Sequence, residues 1–324
     1  MTYDLAYPAF ADEDAAREAL EASRWPNGPV CPYCKQQEPV RAFGGKSMGK
    51  GWFHCNDCRR KFTVRVGTLY ERSHIPLSKW LLATHLLTSS KKGMSTHQLH
   101  RMLGVTYKTA WFMTHRIREA RSESGSAPIG GEGKVVEADE TYFGKIEGPI
   151  RHSRKRYNWS PTKGGLVGPA GKRAVLALVQ RGGEARMFHL ATPDKATVEK
   201  IVRENVAKEA RLYTDESRLY GGSADHFTSH DTVKHSAGEY VRYEDGRAIH
   251  SNTVEGVFSV FKRGMKGVYQ HCKEKHLHRY LAEFEFRYNN RTALGVTDKE
   301  RAAKAIKGIE GKRLTYRRID RAAL

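Results

Sequence analysis

The amino-acid sequence predicts a multidomain protein that combines α+β and α/β architecture, and three observations support this fold class. Four of its five cysteines form two C-x-x-C pairs near the N-terminus. Two short helical patterns joined at a glycine follow these pairs. The second half of the chain alternates β-branched runs with segments of helical periodicity. With 324 residues, the chain is long enough for two or three domains.

Residues 1–27 are the first predicted segment, and residues 11–24 within it predict one amphipathic helix. The segment is acidic and lacks the apolar core of a signal peptide. No apolar run in the chain approaches the roughly 20 residues of a membrane-spanning helix. We therefore expect a cytoplasmic protein that does not bind membranes. The apolar positions near helical spacing are Phe10, Ala16, Leu20 and Trp25.

Residues 28–70 contain the two cysteine pairs, with twenty residues between them. Two thiolates from each tight turn can complete a tetrahedron around one Zn²⁺, so this spacing is typical of a structural zinc ribbon. Strand-like runs at residues 40–43 and 51–54 fit a β-rich ribbon. The alternative is a pair of disulfides, which are rare in the cytoplasm. The predicted zinc ligands are Cys31, Cys34, Cys55 and Cys58.

Residues 74–121 predict a helix-turn-helix that binds DNA. A first helix begins at Pro76 with Ser78 as its cap. Residues 95–103, a turn at Gly104, and residues 106–118 then form the motif. A generic helical hairpin has the same pattern, so this alternative stays open. The predicted DNA contacts of the last helix are Lys108, Arg116 and Arg118. The predicted core positions are Leu99, Met102, Leu103, Val105, Ala110 and Met113.

The charge balance also indicates a nucleic-acid partner. Lysine and arginine outnumber aspartate and glutamate by 56 to 36, which gives a formal net charge of +20. Such an excess attracts polyanions. Because the basic residues accompany a predicted DNA-binding motif, we interpret DNA as the partner rather than a membrane surface.

A second domain is predicted over residues 134–310, after a small, polar, glycine-rich linker at 122–133 and before a basic tail at 311–324. Its elements follow the order strand, strand, strand, helix, strand, helix, which is the order of the ribonuclease-H-like fold. An additional edge strand is predicted at residues 240–243. The core elements are predicted at residues 134–139, 172–180, 185–190, 194–210, 211–215 and 251–291.

The segment at residues 144–172 of this domain is rich in lysine, arginine and glycine and carries Tyr157 and Trp159. Cations hold phosphates and aromatic rings stack on bases, so the segment predicts a DNA clamp. The alternative is a mobile, solvated loop. The predicted DNA contacts are Arg154, Lys155 and Arg156.

Three carboxylates are predicted to meet in this domain. Asp139 and Asp215 end two strands, and Glu255 lies one turn into the following helix. Oxygen ligands arranged in this way bind Mg²⁺ or Mn²⁺, and two such ions can cleave a phosphodiester. Side chains alternate along a strand, so we expect Glu140 and Glu216 to point away from the site. Glu137 and Asp139 share a face, and we choose the shorter aspartate as the ligand.

Four sequence blocks carry a resemblance to a known family. They are residues 136–142 (VEADETY), 213–215 (YTD), 250–264 (HSNTVEGVFSVFKRG) and 280–290 (YLAEFEFRYNN). With the cysteine pairs, they make the chain resemble the bacterial insertion-sequence DDE transposases of the ISXO type, over about residues 10–310. The resemblance implies metal-dependent hydrolysis at transposon ends and strand transfer into target DNA.

The resemblance also implies roles for individual residues and partners. Asp139, Asp215 and Glu255 would be the catalytic acids. Lys262, on the same helix face as Glu255, would contact the transposon end together with the adjacent Arg263. Whether Asn252 or Lys262 shares the third metal position stays open. The implied partners are the terminal inverted repeats and the target DNA, bound by a homodimer or a higher oligomer at the bacterial nucleoid.

Two other functions remain alternatives to an active transposase. A DNA-binding regulator with a decayed catalytic domain would use only the ribbon and the helix-turn-helix, but a decayed domain tends to lose an acid and all three are present. A ribonuclease-H-like nuclease of hybrids or junctions would not require two DNA-reading modules before its catalytic domain.

Overall fold

The computed structural model describes residues 6–45, 48–121, 127–147, 159–160, 165–166, 171–222 and 225–315. These residues form two compact units. The N-terminal unit contains residues 1–122 together with residues 295–324, and the central unit contains residues 123–294.

The N-terminal unit begins with helix α1 (Glu13–Arg24), whose first turn is capped by the side chain of Asp12. A three-stranded antiparallel sheet follows, with the strand order β1-β2-β3. Its strands are short because each cysteine pair occupies a tight turn beside them. Their bounds are Val40–Ala42 (β1), Trp52–Cys55 (β2) and Lys61–Thr63 (β3).

Helix α2 (Leu77–Ser89) is capped from outside its own sequence. Its N-cap residue is Pro76, which makes no side-chain cap hydrogen bond, so the prediction of Ser78 as the cap is wrong. The carboxylate of Glu13 instead accepts hydrogen bonds from the backbone N–H groups of Leu77 and Ser78, at 2.9 and 3.2 Å. A remote carboxylate therefore satisfies the orphan donors of this helix.

Helices α3 (Thr96–Leu103) and α4 (Tyr107–Ala120) form the predicted helical pair. Gly104 ends α3 with φ 59°, a left-handed conformation that favours glycine. Ser95 and Thr106 cap the two helices through their side chains. Most predicted core positions are buried, but Met102 is 49% exposed and is not a core residue.

The central unit is built on a five-stranded mixed sheet with the strand order β10-β9-β4-β7-β8. Strands β4, β7 and β8 pair antiparallel, and β9 and β10 run parallel to β4. Helix α5 (Lys195–Asn205) connects β8 to β9. This order of elements confirms the ribonuclease-H-like prediction. The strands are Val135–Phe143 (β4), Arg173–Gln180 (β7), Ala185–Leu190 (β8), Arg211–Asp215 (β9) and Ser229–Val233 (β10), with a separate two-stranded pair at Trp159–Ser160 (β5) and Gly165–Leu166 (β6).

Two features at the margins of this unit differ from the prediction. The edge strands of the sheet are β8 and β10, whereas the strand predicted at residues 240–243 overlaps only with β11 (Arg242–Glu244), which forms a separate hairpin with β12 (Arg247–Ile249). Part of the predicted linker is also structured, because Ile129 is buried and pairs with Val206.

Helices cover both faces of the mixed sheet. Helix α6 (Asn252–Gly264), extended by a π-helical turn at Met265–Tyr269, and helix α7 (Leu277–Asn289) cover one face. Helix α5 covers the other face. Since successive residues of a strand point to opposite faces, β7 contributes Val175 to the first core and Leu176 to the second.

Helix α8 (Asp298–Lys307) belongs to the N-terminal unit, although the sequence predicts a second domain that extends to residue 310. Arg301 donates a hydrogen bond to the backbone oxygen of Thr88 at the end of α2, at 3.2 Å. Ile309 accepts a backbone hydrogen bond from Leu69. Local periodicity identifies such a helix but does not tell which distant surface it covers.

Candidate functional site

The four paired cysteines converge on one point in the N-terminal unit. Their four Sγ atoms all lie within 4.8 Å of one another. The Sγ atoms of Cys31 and Cys58 are 3.6 Å apart, and those of Cys34 and Cys55 are 3.5 Å apart. A tetrahedral Zn²⁺ with Zn–S bonds of about 2.3 Å requires sulfur atoms about 3.8 Å apart. The thiols form no disulfide, so the geometry fits the predicted ion.

The backbone around these cysteines favours thiolates. Lys35 and Arg59, each directly after a cysteine pair, have positive φ values of 63° and 55°, which close the two tight turns. Burial opposes ionisation of Cys31. However, hydrogen bonds from the backbone N–H groups of Cys34 and Tyr33 lower the pKa of the Cys31 thiol to about 7. For Cys34 and Cys58, burial and the neighbouring thiols outweigh such backbone hydrogen bonds and raise the pKa. The metal ligand is the thiolate, and a bound cation would offset this penalty.

Strands β4 and β9 place two predicted acids at one end of the mixed sheet. Ala138 lies opposite Thr214 in the parallel pair, so Asp139 and Asp215 follow at the same level and on the same face. Strand β9 ends at Asp215 as predicted, whereas β4 continues to Phe143, so the prediction that Asp139 ends its strand is wrong. The carboxylates of Asp139 and Asp215 therefore lie side by side at the level where β9 ends.

Glu140 also joins this cluster, contrary to the prediction that it points away. One carboxylate oxygen from each of Asp139, Glu140 and Asp215 lies within 4.8 Å of the other two. Because β9 ends at Asp215, no strand separates the two sheet faces beyond that level, and the longer glutamate side chain reaches the cluster. Ser217 Oγ and Tyr220 Oη donate to the Glu140 carboxylate at 3.2 and 2.8 Å.

Burial and mutual repulsion raise the pKa of all three carboxyls. Burial is the main cause for Asp139, and the charges of Asp215 and Glu140 add to it, so its pKa rises to about 8. Burial likewise raises the pKa of Asp215 and of Glu140. A divalent cation would relieve this repulsion, and carboxylate oxygens are the ligands that Mg²⁺ and Mn²⁺ prefer. The cluster therefore fits such an ion.

Glu255 lies beside the cluster but not within it. Its carboxylate accepts a hydrogen bond from Ser251 Oγ at 3.2 Å and lies 3.4 Å from His235 Nε2. Its side chain is 48% exposed. The charge of Glu255 still contributes to the raised pKa values of Asp139 and Asp215. The structure thus brings two of the three predicted acids together and places the third next to them.

The other candidate residues of helix α6 lie away from the hydrophobic core. Asn252 is exposed, and its backbone N–H donates to His250 Nδ1 at 3.2 Å. Lys262 is half-buried, and Arg263 is exposed and donates through Nε to Ser259 O at 3.1 Å. The opposite face of α6 is buried through Val254, Val257, Phe258 and Phe261.

The predicted DNA contacts on helix α4 differ in accessibility. Lys108 is exposed in the first turn. Arg116 is half-buried and donates to the backbone oxygens of Leu314 and Glu71. Arg118 is 1% exposed and donates to Thr114 Oγ1 at 3.2 Å, so DNA does not reach it in this conformation. Its position on the core face explains this burial. The predicted contacts Arg154, Lys155 and Arg156 lie outside the described residues.

Sequence reasoning missed several polar residues around the carboxylates. Tyr220 and His235 contact acidic side chains, but neither shares a recognisable spacing with its partner. The sequence identifies Glu137 only as an alternative to Asp139, whereas in the structure it is completely buried against the start of α6. The sequence signal that relates Glu137 to the site is the alternation of side chains along β4, which puts Glu137 on the same face as Asp139.

No helix in the described part of the chain is both long enough and apolar enough to cross a membrane.

Comparisons with known proteins extend the geometric evidence. The profile of the ISXO2-like transposase domain matches residues 130–289, and that of a transposase zinc-ribbon domain matches residues 11–61. A protein in transposable element ISH50 of Halobacterium salinarum is 29% identical over 282 residues, which cover 86% of this chain and 91% of the relative.

Two solved structures are similar at low scores. The crystal structure of the Mos1 strand transfer complex matches with a TM-score of 0.28 and 9% identity, over 71% of this chain and 74% of that chain. The Drosophila P element transposase strand transfer complex matches with a TM-score of 0.25 and 9% identity, over 73% of this chain and 64% of that chain. The two sequence profiles, in contrast, match both the cysteine cluster and the carboxylate cluster.

Proposed function

The chain belongs to the ISXO2-like insertion-sequence transposases, and we propose that it is an active DNA transposase that cleaves transposon ends and joins them to target DNA. The observation that carries this proposal is the carboxylate cluster beside the middle of β4, at the level where β9 ends. Asp139, Glu140 and Asp215 bring three acidic side chains within 4.8 Å of one another in a domain of the transposase family.

Asp139 and Asp215 would hold one or two Mg²⁺ or Mn²⁺ ions, with Glu140 or the adjacent Glu255 completing the ligand set. Such ions activate a nucleophile and stabilise the leaving oxygen of a phosphodiester. The protein itself fixes the positions of these acidic side chains. Strand pairing sets the spacing of the two aspartates, and the hydroxyls of Ser217 and Tyr220 orient Glu140. No covalent protein nucleophile is needed for in-line phosphoryl transfer.

The accessible side of helix α6 would face the transposon end. Glu255 and Asn252 are exposed there, together with Arg263. We propose that Lys262 and Arg263 contact phosphates while Glu255 turns toward the metal ions. Since both ends of an element must be cut, the protein would act on chromosomal DNA in the cytoplasm as a dimer or a higher oligomer.

The N-terminal unit would bind the terminal repeats. We propose that Zn²⁺ occupies the four-cysteine cluster and has a structural role. Helix α4 would enter the major groove with its first turn, where Lys108 is exposed. The burial of Arg118 removes it from the proposed contacts.

Cleavage and strand transfer on DNA carrying the element's own ends, with Mg²⁺, test the proposal. Asp139→Ala and Asp215→Ala should each lower the cleavage rate by about 10²–10³-fold or more, because charge stabilisation is lost. Glu255→Ala should also abolish cleavage, and all three variants should still bind the end DNA.

Glu216→Ala is the matched control in this experiment. Its carboxylate accepts hydrogen bonds from Ser236 N and Oγ, at 3.1 and 2.7 Å, instead of joining the cluster. We expect this variant to retain cleavage. Full cleavage by Asp139→Ala would contradict the proposed function, whatever the result with Glu216.

A further inference from the structure

Glu137 occupies a buried position that links the carboxylate cluster to helix α6. It precedes Asp139 by two residues on the same face of β4 and is fully buried. Its Oε2 accepts hydrogen bonds from the backbone N–H groups of Thr253 and Val254, at 2.8 and 3.0 Å. The Thr253 hydroxyl donates to Oε1 at 2.8 Å. Both oxygens of Glu137 therefore bind the first turn of α6.

The N-cap residue of this helix does not cap it, although His250 Nδ1 accepts a hydrogen bond from the backbone N–H of Asn252 at 3.2 Å. This N-cap residue, Ser251, makes no side-chain cap hydrogen bond and donates instead to Glu255. The first-turn donors of a helix carry a partial positive charge, and a carboxylate is their strongest ordinary partner. Glu137 thus provides from the sheet the cap that the helix lacks.

Arg181 completes the link as the cationic partner of Glu137. Its Nε lies 2.5 Å from Glu137 Oε1. Its two terminal nitrogens donate to the backbone oxygens of Ala248 and His250, at 2.7 and 2.8 Å. Arg181 therefore holds both the cap and the chain that enters α6. His250 Nδ1 also lies 3.3 Å from Glu137 Oε1 and accepts a hydrogen bond from the backbone N–H of Asn252. Burial lowers the pKa of this imidazole.

We propose that Glu137 is a positioning residue that sets the place of Glu255 relative to Asp139 and Asp215 for divalent-cation binding. One strand carries Asp139 and the cap, and the capped turn carries Glu255. Displacement of Glu255 relative to the aspartates then requires breaking a buried set of hydrogen bonds and an ion pair. The inference depends on the proposed function, since it assumes that these acids bind the metal.

Mn²⁺ binding to the purified full-length protein tests this inference, with free Mn²⁺ followed by electron paramagnetic resonance. Glu137→Gln should weaken Mn²⁺ binding about tenfold or more, the usual effect of losing a residue that orients a ligand. Thr253→Val removes only the hydroxyl contact and should weaken binding less. It serves as the readout if Glu137→Gln does not fold.

A double-mutant cycle identifies the route of the effect. If Glu137 acts through Glu255, the double variant with Glu255→Gln should bind Mn²⁺ no more weakly than Glu255→Gln alone. The matched control is Glu283→Gln. Glu283 is also fully buried, and it pairs with the buried Arg287 within α7 at 2.5 Å. This control should lower thermal stability but leave Mn²⁺ affinity unchanged.

The possible failures are distinguishable. Additive effects of Glu137→Gln and Glu255→Gln, or equal effects of Glu137→Gln and Glu283→Gln on Mn²⁺ affinity, would overturn the positioning role. Unchanged Mn²⁺ binding in Asp139→Ala would instead overturn the proposed function on which the inference depends.

Discussion

The cysteine cluster and the carboxylate cluster are both candidate metal centres, yet they are assembled in different ways. The four thiols come from two tight turns within one small ribbon, and each pair is defined by local sequence. The carboxylates come from the middle of β4 and the end of β9 in a larger sheet, and the adjacent Glu255 comes from a helix that follows later in the chain.

We expect a metal ion in the cysteine cluster to stabilise the fold around it. The carboxylate cluster, in contrast, depends on a fold that is stable without it. The strands of the ribbon are only three or four residues long, so metal binding supplies part of its folding energy. The carboxylates are buried together by a sheet that already has its own core, and the raised pKa of Asp139 reflects first this burial and then the repulsion from its neighbours. Removing ligands should therefore have opposite effects on stability in the two units.

The largest expected effect is the loss of the ribbon when zinc binding is prevented. Cys31→Ser, or chelation of the wild type, should abolish the bound zinc and the cooperative unfolding of the N-terminal unit, since structural zinc contributes about 10–16 kcal/mol in small fingers. Zinc content and thermal unfolding measure this. Cys272→Ser is the matched control, because Cys272 is buried in the central unit. If both variants keep their zinc and stability, the cysteine cluster has no structural role.

The second expected effect is a gain in stability rather than a loss. Asp139→Asn should raise the free energy of unfolding of the metal-free protein at pH 8 by on the order of 2–5 kcal/mol. Asp139 ionises freely in the unfolded chain at this pH, whereas the native site disfavours its charge, and the amide does not ionise. The unfolded chain releases the Asp139 proton near pH 4, whereas the native protein keeps it up to about pH 8. The free energy of unfolding of the wild type should therefore fall as pH rises between these values.

Urea unfolding of the metal-free wild type and Asp139→Asn across this pH range measures the second effect. The variant should show a smaller fall. Asp245→Asn is the control, since its side chain is 87% exposed on the β11–β12 turn, and it should follow the wild type. A steeper fall for Asp139→Asn would show that Asp139 does not carry the repulsion.

A smaller effect should follow from loss of the Tyr220 hydroxyl. Tyr220→Phe removes one donor to Glu140 but leaves Ser217 in place, so we expect Mn²⁺ binding to weaken several-fold, at the low end of the roughly 10–100-fold range for such partners. Tyr70→Phe is the control, because the Tyr70 hydroxyl is buried against Thr84 in the N-terminal unit. Equal Mn²⁺ affinity in the wild type and Tyr220→Phe would remove Glu140 from the ligand set.

The smallest expected effect concerns DNA binding by α4. Lys108→Ala should weaken binding of the full-length protein to end DNA and reduce the salt dependence by about one phosphate contact. Binding isotherms at several salt concentrations measure the slope. Lys200→Ala on the exposed side of α5 is the control, and it should leave the slope unchanged. An unaltered slope for Lys108→Ala would place the DNA on another surface.

The cysteine cluster and the helical pair can be predicted from the sequence because each depends on short-range spacing. Asp139 and Asp215 are predictable from the order of the strands that carry them, although β4 runs past Asp139 to Phe143. Glu140 is not, since alternation describes the direction of the Cα–Cβ bond and not the reach of a long side chain past the end of β9.

Residues whose environment depends on distant segments were the least predictable. The burial of Arg118 requires knowing which face of α4 meets the core. The cap that Glu137 gives to α6 joins residues more than a hundred positions apart. Neither contact leaves a periodic or compositional signal, so only the fold reveals them.

The return of α8 to the N-terminal unit has a consequence for biosynthesis. Helix α8 begins about 180 residues after α4 ends. At a translation rate of roughly 5–20 residues per second, the ribosome needs roughly 10–35 s to pass from one to the other. The nascent N-terminal unit therefore waits with the surface for α8 uncovered while the central unit is made. A polypeptide released before α8 contains every carboxylate of the site but lacks the helix that completes the proposed DNA-reading unit.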